Sequence, residues 1–163
     1  MTTKNDNLFK IFSQNENQIA ELYSIYALTF PNQKRMWEGL SKAEIKHALI
    51  LKVLDDKYGN ENKLYSVIDE GYNILKYVSD FINKHIIEAQ TKSITSQDAI
   101  ATAMSLEQSM IEKKCFDIFS SKEEEIIAAF EKLNKEYGAY FLRKNSARIK
   151  ISFPLSLRGG NSI

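Results

Sequence analysis

The chain of 163 residues carries 22 basic and 21 acidic side chains, which gives a formal net charge of +1. This balance leaves no basic field that would hold nucleic acid or an anionic membrane, and no apolar run reaches the roughly 20 residues of a membrane span. Segment 1–7 is polar and unlike a secretory signal. We therefore expect one cytoplasmic domain without nucleic-acid or membrane partners. Cys115 is the only cysteine, which excludes an internal disulfide and a four-cysteine metal site.

Helical spacing of apolar residues recurs along the chain, and only six glycines and two prolines interrupt it. The pattern predicts five helices, over residues 15–30, 32–58, 69–90, 96–119 and 123–144. Pro31 closes the first helix, and the only strand-like pattern falls at 148–153. Two tight helical hairpins joined by a long crossover helix form a four-helix bundle. We expect residues 1–145 to form this bundle and residues 146–163 to be a loosely ordered tail.

Glu44 and His47 lie on the apolar side of the second predicted helix, together with Leu40 and Leu51. A carboxylate and an imidazole that face a core need partners, because an unpaired buried charge is costly. A metal ion suits the Glu-x-x-His spacing. The pattern therefore indicates a metal site inside the bundle.

Two more glutamates lie on apolar stripes of other predicted helices. Glu107 lies mid-stripe, whereas Glu21 shares a stripe with Ile25 and a second stripe through Tyr23 leaves the orientation of that helix open. Glu21, Glu44 and Glu107 are 10, 13 and 13 residues from the turns of their hairpins. Since a helix rises about 1.5 Å per residue, three carboxylates and one imidazole are expected to meet at one level.

This set resembles the metal ligands of the ferritin-like, rubrerythrin-type carboxylate proteins, over about residues 19–143. The segments that carry the resemblance include Ala20-Glu21-Leu22-Tyr23, Glu44-Ile45-Lys46-His47-Ala48 and Ala103-Met104-Ser105-Leu106-Glu107. The resemblance implies an all-α, ferritin-like four-helix bundle of two antiparallel hairpins with an additional crossover helix. It also implies one or two iron ions, with manganese or zinc as alternatives, and redox chemistry with peroxide or dioxygen.

The last predicted helix departs from the family pattern, which places a second Glu-x-x-His there. In one register Tyr137 and Tyr140 stand opposite Glu44 and His47, and in the other Glu136 keeps the carboxylate. Either way, at least one family ligand is missing. We interpret the two tyrosines as ligands or, in preference, as core side chains that hydrogen-bond to a carboxylate.

Two functions are open on this basis. The first is a metal-binding protein with an oxidoreductase activity of the peroxidase or ferroxidase type. Its electrons would come from another protein, because a single cysteine cannot build a rubredoxin-like iron site. The second is a non-enzymatic helical module that has lost its metal and serves interaction or structure. A homodimer through a helix face is compatible with both.

Overall fold

The computed structural model describes residues 8–60, 65–67, 71–108 and 119–136, with the backbone alone at 65–67, 107–108, 119–120 and 134. Within these ranges the chain forms five α-helices: α1 (Leu8–Thr29), α2 (Lys34–Tyr58), α3 (Gly71–Thr91), α4 (Ser96–Gln108) and α5 (Glu124–Glu136). A 3₁₀ turn, Pro31–Gln33, joins α1 to α2, and strands β1 (Tyr65–Val67) and β2 (Phe119–Ser121) pair antiparallel. The described fold is all-α apart from this three-residue ladder, as the sequence predicts.

Helices α1 and α2 form an antiparallel hairpin around Pro31. Proline fixes its own φ and lacks an N–H donor, so it ends α1 and opens the short turn. Ser13 Oγ donates a hydrogen bond to the Ala48 carbonyl (2.9 Å), and Ser41 Oγ donates to the Ala20 carbonyl (2.8 Å). The early part of α1 therefore lies beside the middle of α2, and small serine side chains let the two backbones approach closely.

One apolar core joins the described helices. Trp37 of α2 packs against Tyr23 and Tyr26 of α1, with ring centroids 5.6 and 4.9 Å apart. Each such ring removes roughly 150–250 Å² from water on folding. At about 25 cal/mol per Å², the aromatic contacts of this hairpin are a principal source of its stability. All five helices contribute buried residues to this core, which include Phe9, Leu51, Leu75, Ile82, Ala103 and Leu133.

Helix α3 is a full partner of the hairpin and not only a connection. Asn15 Nδ2 donates to the Leu75 carbonyl (3.0 Å), and Gln18 Nε2 donates to Asn83 Oδ1 (2.9 Å). The order of these contacts makes α3 parallel to α1. Its start therefore lies at the end of the molecule away from Pro31.

Helix α4 starts at the Pro31 end of the molecule. Ser96 Oγ donates to Gln33 Oε1 (2.8 Å), and Thr102, further along α4, lines one cleft together with Tyr26 of α1. Strand β2, which comes after α4, pairs with β1, which comes after α2. Helices α2 and α4 therefore run in one direction, and α3 returns the chain between them.

Three expectations about the elements are corrected. Helix α1 begins at Leu8, not at residue 15, because Phe9 and Phe12 continue its buried stripe. Phe119 lies in strand β2 and not at the end of a helix. The strands form at β1 and β2, where three residues are too short to show an alternating pattern. The predicted strand at 148–153 and the tail boundary at 145 lie outside the described residues.

None of the described helices combines the length and the apolar character that crossing a membrane requires.

Candidate metal centre

Glu44 and His47 lie one helical turn apart on the inner face of α2, where three-residue spacing brings two side chains together. They are 2% and 3% exposed. His47 Nδ1 and Glu44 Oε2 form a hydrogen bond of 3.1 Å. The inward orientation that the apolar pattern predicts for this pair is confirmed.

Glu16 of α1 is the third member of the cluster, and it is 1% exposed. Its Oε2 lies 3.9 Å from His47 Nδ1. Glu16 is buried because it is in phase with the stripe of Phe12, Ile19 and Tyr23, which α1 turns toward α2.

A fourth carboxylate reaches the other side of the imidazole. Glu136, the last residue of α5, places Oε2 3.6 Å from His47 Nε2, and its side chain is 48% exposed. This carboxylate therefore lies between the buried cluster and solvent.

The position of Glu136 follows from a contact at the opposite end of α5. Tyr58 Oη donates a hydrogen bond to Glu125 Oε2 (2.6 Å), and Lys57 Nζ bonds the same oxygen. Eleven residues separate Glu125 from Glu136 on α5, and eleven separate His47 from Tyr58 on α2. The two helices therefore lie antiparallel, and the contact at Tyr58 sets the level that Glu136 reaches.

The three buried groups have the size and chemistry of a metal site. One ligand atom from each of Glu16, Glu44 and His47 lies within 4.8 Å of the other two. Ligands about 2.0–2.2 Å from a shared ion stand roughly 3–4.4 Å apart, so small side-chain movements would enclose one. Carboxylate and imidazole ligands suit iron, manganese and zinc. Among the described residues, this is the one group of three such side chains close enough for a single ion.

The structure brings together some of the residues that the sequence singles out. Glu44, His47 and Glu136 meet, whereas Glu21 is exposed on α1, so its predicted inward orientation is wrong. Helix α1 buries the stripe through Tyr23 instead. Glu107 lies near the end of α4, but its side chain is outside the described residues, as are Tyr137 and Tyr140.

Glu16 was missed by reasoning from the sequence, although a signal for it exists. It lies four residues after Phe12, three before Ile19 and seven before Tyr23, which is the spacing of one helix face. If the helix is taken to begin at residue 15, Glu16 falls in its first turn, where a solvated acidic side chain is expected. Extending the stripe back through Phe9 places Glu16 in the interior.

A separate cleft of about 350 Å³ lies between α1, α3 and α4 near the Pro31 end. His85, Glu88 and Thr102 line it together with Tyr26, and no residue of the metal-site cluster does. Burial raises the pKa of Tyr26 to about 12, and burial lowers the pKa of His85. Both groups are therefore neutral at pH 7.

Comparisons of the chain with protein-family models, with curated proteins and with solved structures found no match.

Proposed function

We propose that this chain is a metal-binding protein whose ion is held by Glu16, Glu44 and His47, with Glu136 as a fourth ligand. One observation carries the proposal: two carboxylates and an imidazole from two helices, each at most 3% exposed, converge within 4.8 Å. Burial makes carboxylate charge costly. A divalent cation would balance the two charges of Glu16 and Glu44.

The local geometry suggests how a cation would enter the hydrogen-bond pattern. His47 Nδ1 faces Oε2 of both Glu44 and Glu16, at 3.1 and 3.9 Å. A proton on Nδ1 would be donated to Glu44 Oε2, because 3.9 Å is too long for a hydrogen bond to Glu16. An ion bound at Nδ1 would require that nitrogen to be free of its proton, which the neutral imidazole can carry on Nε2 instead.

We further propose that the helices form a ferritin-like bundle of two hairpins. The directions of the helices support this architecture: α2 and α4 are parallel, α5 is antiparallel to α2, and α3 carries the chain back between the hairpins. A single long crossover of this kind distinguishes ferritin-like bundles from bundles with short loops throughout.

The register of α4 supports a second carboxylate contribution from Glu107. Ser96 of α4 bonds to Gln33 at the start of α2. Glu107 follows Ser96 by eleven residues, and Glu44 follows Gln33 by eleven residues. Because the two helices are parallel, the backbone at Glu107 lies at the level of Glu44. Glu107 is our candidate ligand for a second ion.

Iron is the metal we propose, on the resemblance to rubrerythrin-type proteins and on the ligand types. Iron would supply a redox couple for reaction with peroxide or dioxygen. The protein's own groups would bind the ion, neutralise its charge and leave the half-exposed Glu136 side as the approach for a small oxidant. Electrons would come from a separate donor protein.

Metal analysis of protein purified from iron-supplemented cells tests the proposal. We expect near-stoichiometric iron in the unaltered chain and its loss in Glu16→Gln and Glu44→Gln, which keep the side-chain shape. His85 and Glu88 form a second histidine–glutamate pair, on α3. Glu88→Gln is therefore the matched control and should retain iron. Glu107→Gln should lower the iron content by half if two ions bind and leave it unchanged if one binds.

A redox role is tested separately with anaerobic protein loaded with ferrous iron. We expect peroxide to oxidise the bound iron faster than it oxidises free ferrous iron. Stopped-flow absorbance measures both rates. Bound iron that reacts no faster than free iron would contradict the redox role but leave metal binding intact. Metal-free protein whose melting temperature is unchanged in Glu16→Gln and Glu44→Gln would favour the non-enzymatic module instead.

A further inference from the structure

Helices α1 and α2 carry the same eight-residue pattern where they supply the buried carboxylates. The pattern is Ser-x-x-Glu-x-x-x-Ala, and it occurs at residues 13–20 and 41–48. Its glutamate is Glu16 on α1 and Glu44 on α2. The six residues that define the two copies are each at most 8% exposed: Ser13, Glu16, Ala20, Ser41, Glu44 and Ala48. The two helices therefore present equivalent surfaces to each other.

Reciprocal hydrogen bonds join the two copies of the pattern. Ser13 Oγ donates to the carbonyl of Ala48 (2.9 Å), and Ser41 Oγ donates to the carbonyl of Ala20 (2.8 Å). In each bond the serine lies three residues before its own glutamate, and the acceptor lies four residues after the other glutamate. An approximate two-fold axis between the two glutamates therefore relates this part of α1 to this part of α2.

The two bonds bring the ligands to one level. By symmetry the midpoints of the two patterns are level, and each glutamate lies next to its midpoint. At about 1.5 Å per residue, Glu16 and Glu44 lie within about 1.5 Å of the same height. His47 directly precedes Ala48, which accepts the bond from Ser13. The Ser13 bond therefore acts beside the imidazole, whose Nδ1 lies 3.9 Å from Glu16 Oε2.

The direction of these two hydroxyls is not the usual one for a helix interior. Serine and threonine in helices often bond back to the carbonyl four residues earlier in their own helix. Thr29 bonds to Ile25 in this way (2.9 Å), whereas Ser13 and Ser41 bond across to the neighbouring helix. A hydrogen bond is directional and apolar contacts are not. The two bonds therefore fix the position of one helix against the other more narrowly than the surrounding apolar contacts do.

We propose that Ser13 and Ser41 are positioning residues of the metal site. This inference rests on the proposed metal-binding function, since it concerns the ligands Glu16, Glu44 and His47. Ligands must be held within about 0.5 Å of their binding geometry by residues that are themselves fixed. The two serines hold α1 against α2 on either side of the carboxylates. Their removal relaxes the distances between ligands and leaves the fold in place.

Manganous ion alone is the probe for the first test, with its dissociation constant measured by titration calorimetry. We expect Ser13→Ala to weaken binding about tenfold, the lower end of the effect of residues that orient metal ligands. Ser13→Thr keeps the hydroxyl and should restore binding. Ser79→Ala is the matched control, because Ser79 Oγ donates to Gln18 Oε1 (3.4 Å) on the α3 side of α1. It should leave the affinity unchanged.

Melting temperatures separate positioning from structural support. Ser13→Ala and Ser79→Ala each remove one hydrogen bond and gain the higher helix propensity of alanine. The Tm of each variant should therefore fall by no more than about 4 °C. A tenfold loss of affinity confined to Ser13→Ala is the result that positioning predicts. Equal losses of affinity in the two variants, or no loss in Ser13→Ala, would overturn the proposal.

Crystal structures of the metal-free protein test the same role without an ion. In the double variant Ser13→Ala/Ser41→Ala, we expect the 3.9 Å distance between Glu16 Oε2 and His47 Nδ1 to change by about 0.5 Å or more. An unchanged distance would overturn the positioning role whether or not ions bind. An unaltered protein that binds no manganese would contradict the proposed function instead, and the metal-free distance would still decide the role of the serines.

Discussion

Two histidine–glutamate pairs in this molecule share the same spacing but have different surroundings. His47 Nδ1 lies 3.1 Å from Glu44 Oε2, and His85 Nδ1 lies 3.3 Å from Glu88 Oε2. The side chains of the first pair are 4% and 3% exposed, whereas those of the second are 20% and 25% exposed. The two pairs run in opposite order along the chain, Glu-x-x-His and His-x-x-Glu, but their spacing and their distances are nearly equal.

The difference lies in what each carboxylate meets next. Glu88 contacts water and accepts a hydrogen bond from Lys92 (3.0 Å), which lowers the pKa of Glu88. Around His47 the next group is another carboxylate, Glu16. The second pair therefore has the ammonium group of Lys92 beside its carboxylate, whereas the first has a second buried carboxyl side chain close to its imidazole. Burial and the nearby Glu16 therefore distinguish the candidate metal centre from the second pair, and the three-residue spacing does not.

The largest contrast is expected when each imidazole is removed. In chelator-treated protein, His47→Ala should lower the free energy of unfolding by about 3–5 kcal/mol, because it removes a buried imidazole that hydrogen-bonds to Glu44 and leaves a cavity in the core. His85→Ala should cost about 1 kcal/mol or less, since that pair is partly solvated. Urea denaturation measures both values. Equal losses would mean that the two pairs do not differ as we describe.

The second largest difference between the two pairs is expected in the melting temperature when metal is added. An ion at about 100 times its Kd stabilises the native state by about 2.7 kcal/mol, which for a chain of this length raises the Tm by about 5–10 °C. Thermal melts with ferrous or manganous ion should show this rise in the unaltered protein and in Glu88→Gln. Glu44→Gln should show none. A rise that persists in Glu44→Gln would assign the ion to another site.

The pH response of His85 is a smaller effect. Burial lowers its pKa below 6.5, while the nearby Glu88 carboxylate opposes that shift. The folded pKa is depressed, so the stability that neutral His85 contributes is present above the unfolded pKa and is lost as the pH falls through the folded pKa. An NMR titration should give a midpoint below 6.5. Glu88→Gln should move it lower still, and a midpoint that rises would contradict the assignment.

The smallest effect is expected at Lys92. Lys92→Ala removes the hydrogen bond that holds the pKa of Glu88 down, so this pKa should return toward its ordinary value. The melting temperature should not change measurably, because surface ion pairs contribute little. A carboxylate NMR titration tests the expected pKa of Glu88, and a thermal melt tests the expected melting temperature. A large fall in the melting temperature would mean that this pair is structural.

Much of the helical order was accessible to sequence reasoning. Pro31 and Gly59 each interrupt a long apolar period, and the helix predicted between them, 32–58, agrees with α2 to within two residues. Glu44 and His47 were predicted correctly as inward-facing, since four neighbouring apolar positions define that face. A strong period therefore predicts both the helix and the orientation of its polar residues.

The first helix shows where such reasoning fails. Its sequence carries two overlapping stripes, one with Glu21 and one with Tyr23, and local spacing does not choose between them. The choice comes from tertiary packing: Trp37 of α2 lies against Tyr23 and Tyr26. That contact turns Glu16 inward and Glu21 outward. Contacts between distant segments select the Tyr23 stripe, and the apolar spacing favours the same stripe only when the helix is extended back to Phe9.

Helix α5 links two contacts on α2 that lie far apart. Tyr58 holds Glu125, and Glu136 meets His47 about 16 Å away along the helix. Leu133, one turn before Glu136, is buried in the core, so both ends of the helix are held. An ion bound under Glu136 would therefore enter and leave by rotation of that one half-exposed side chain, while the helix itself stays in place.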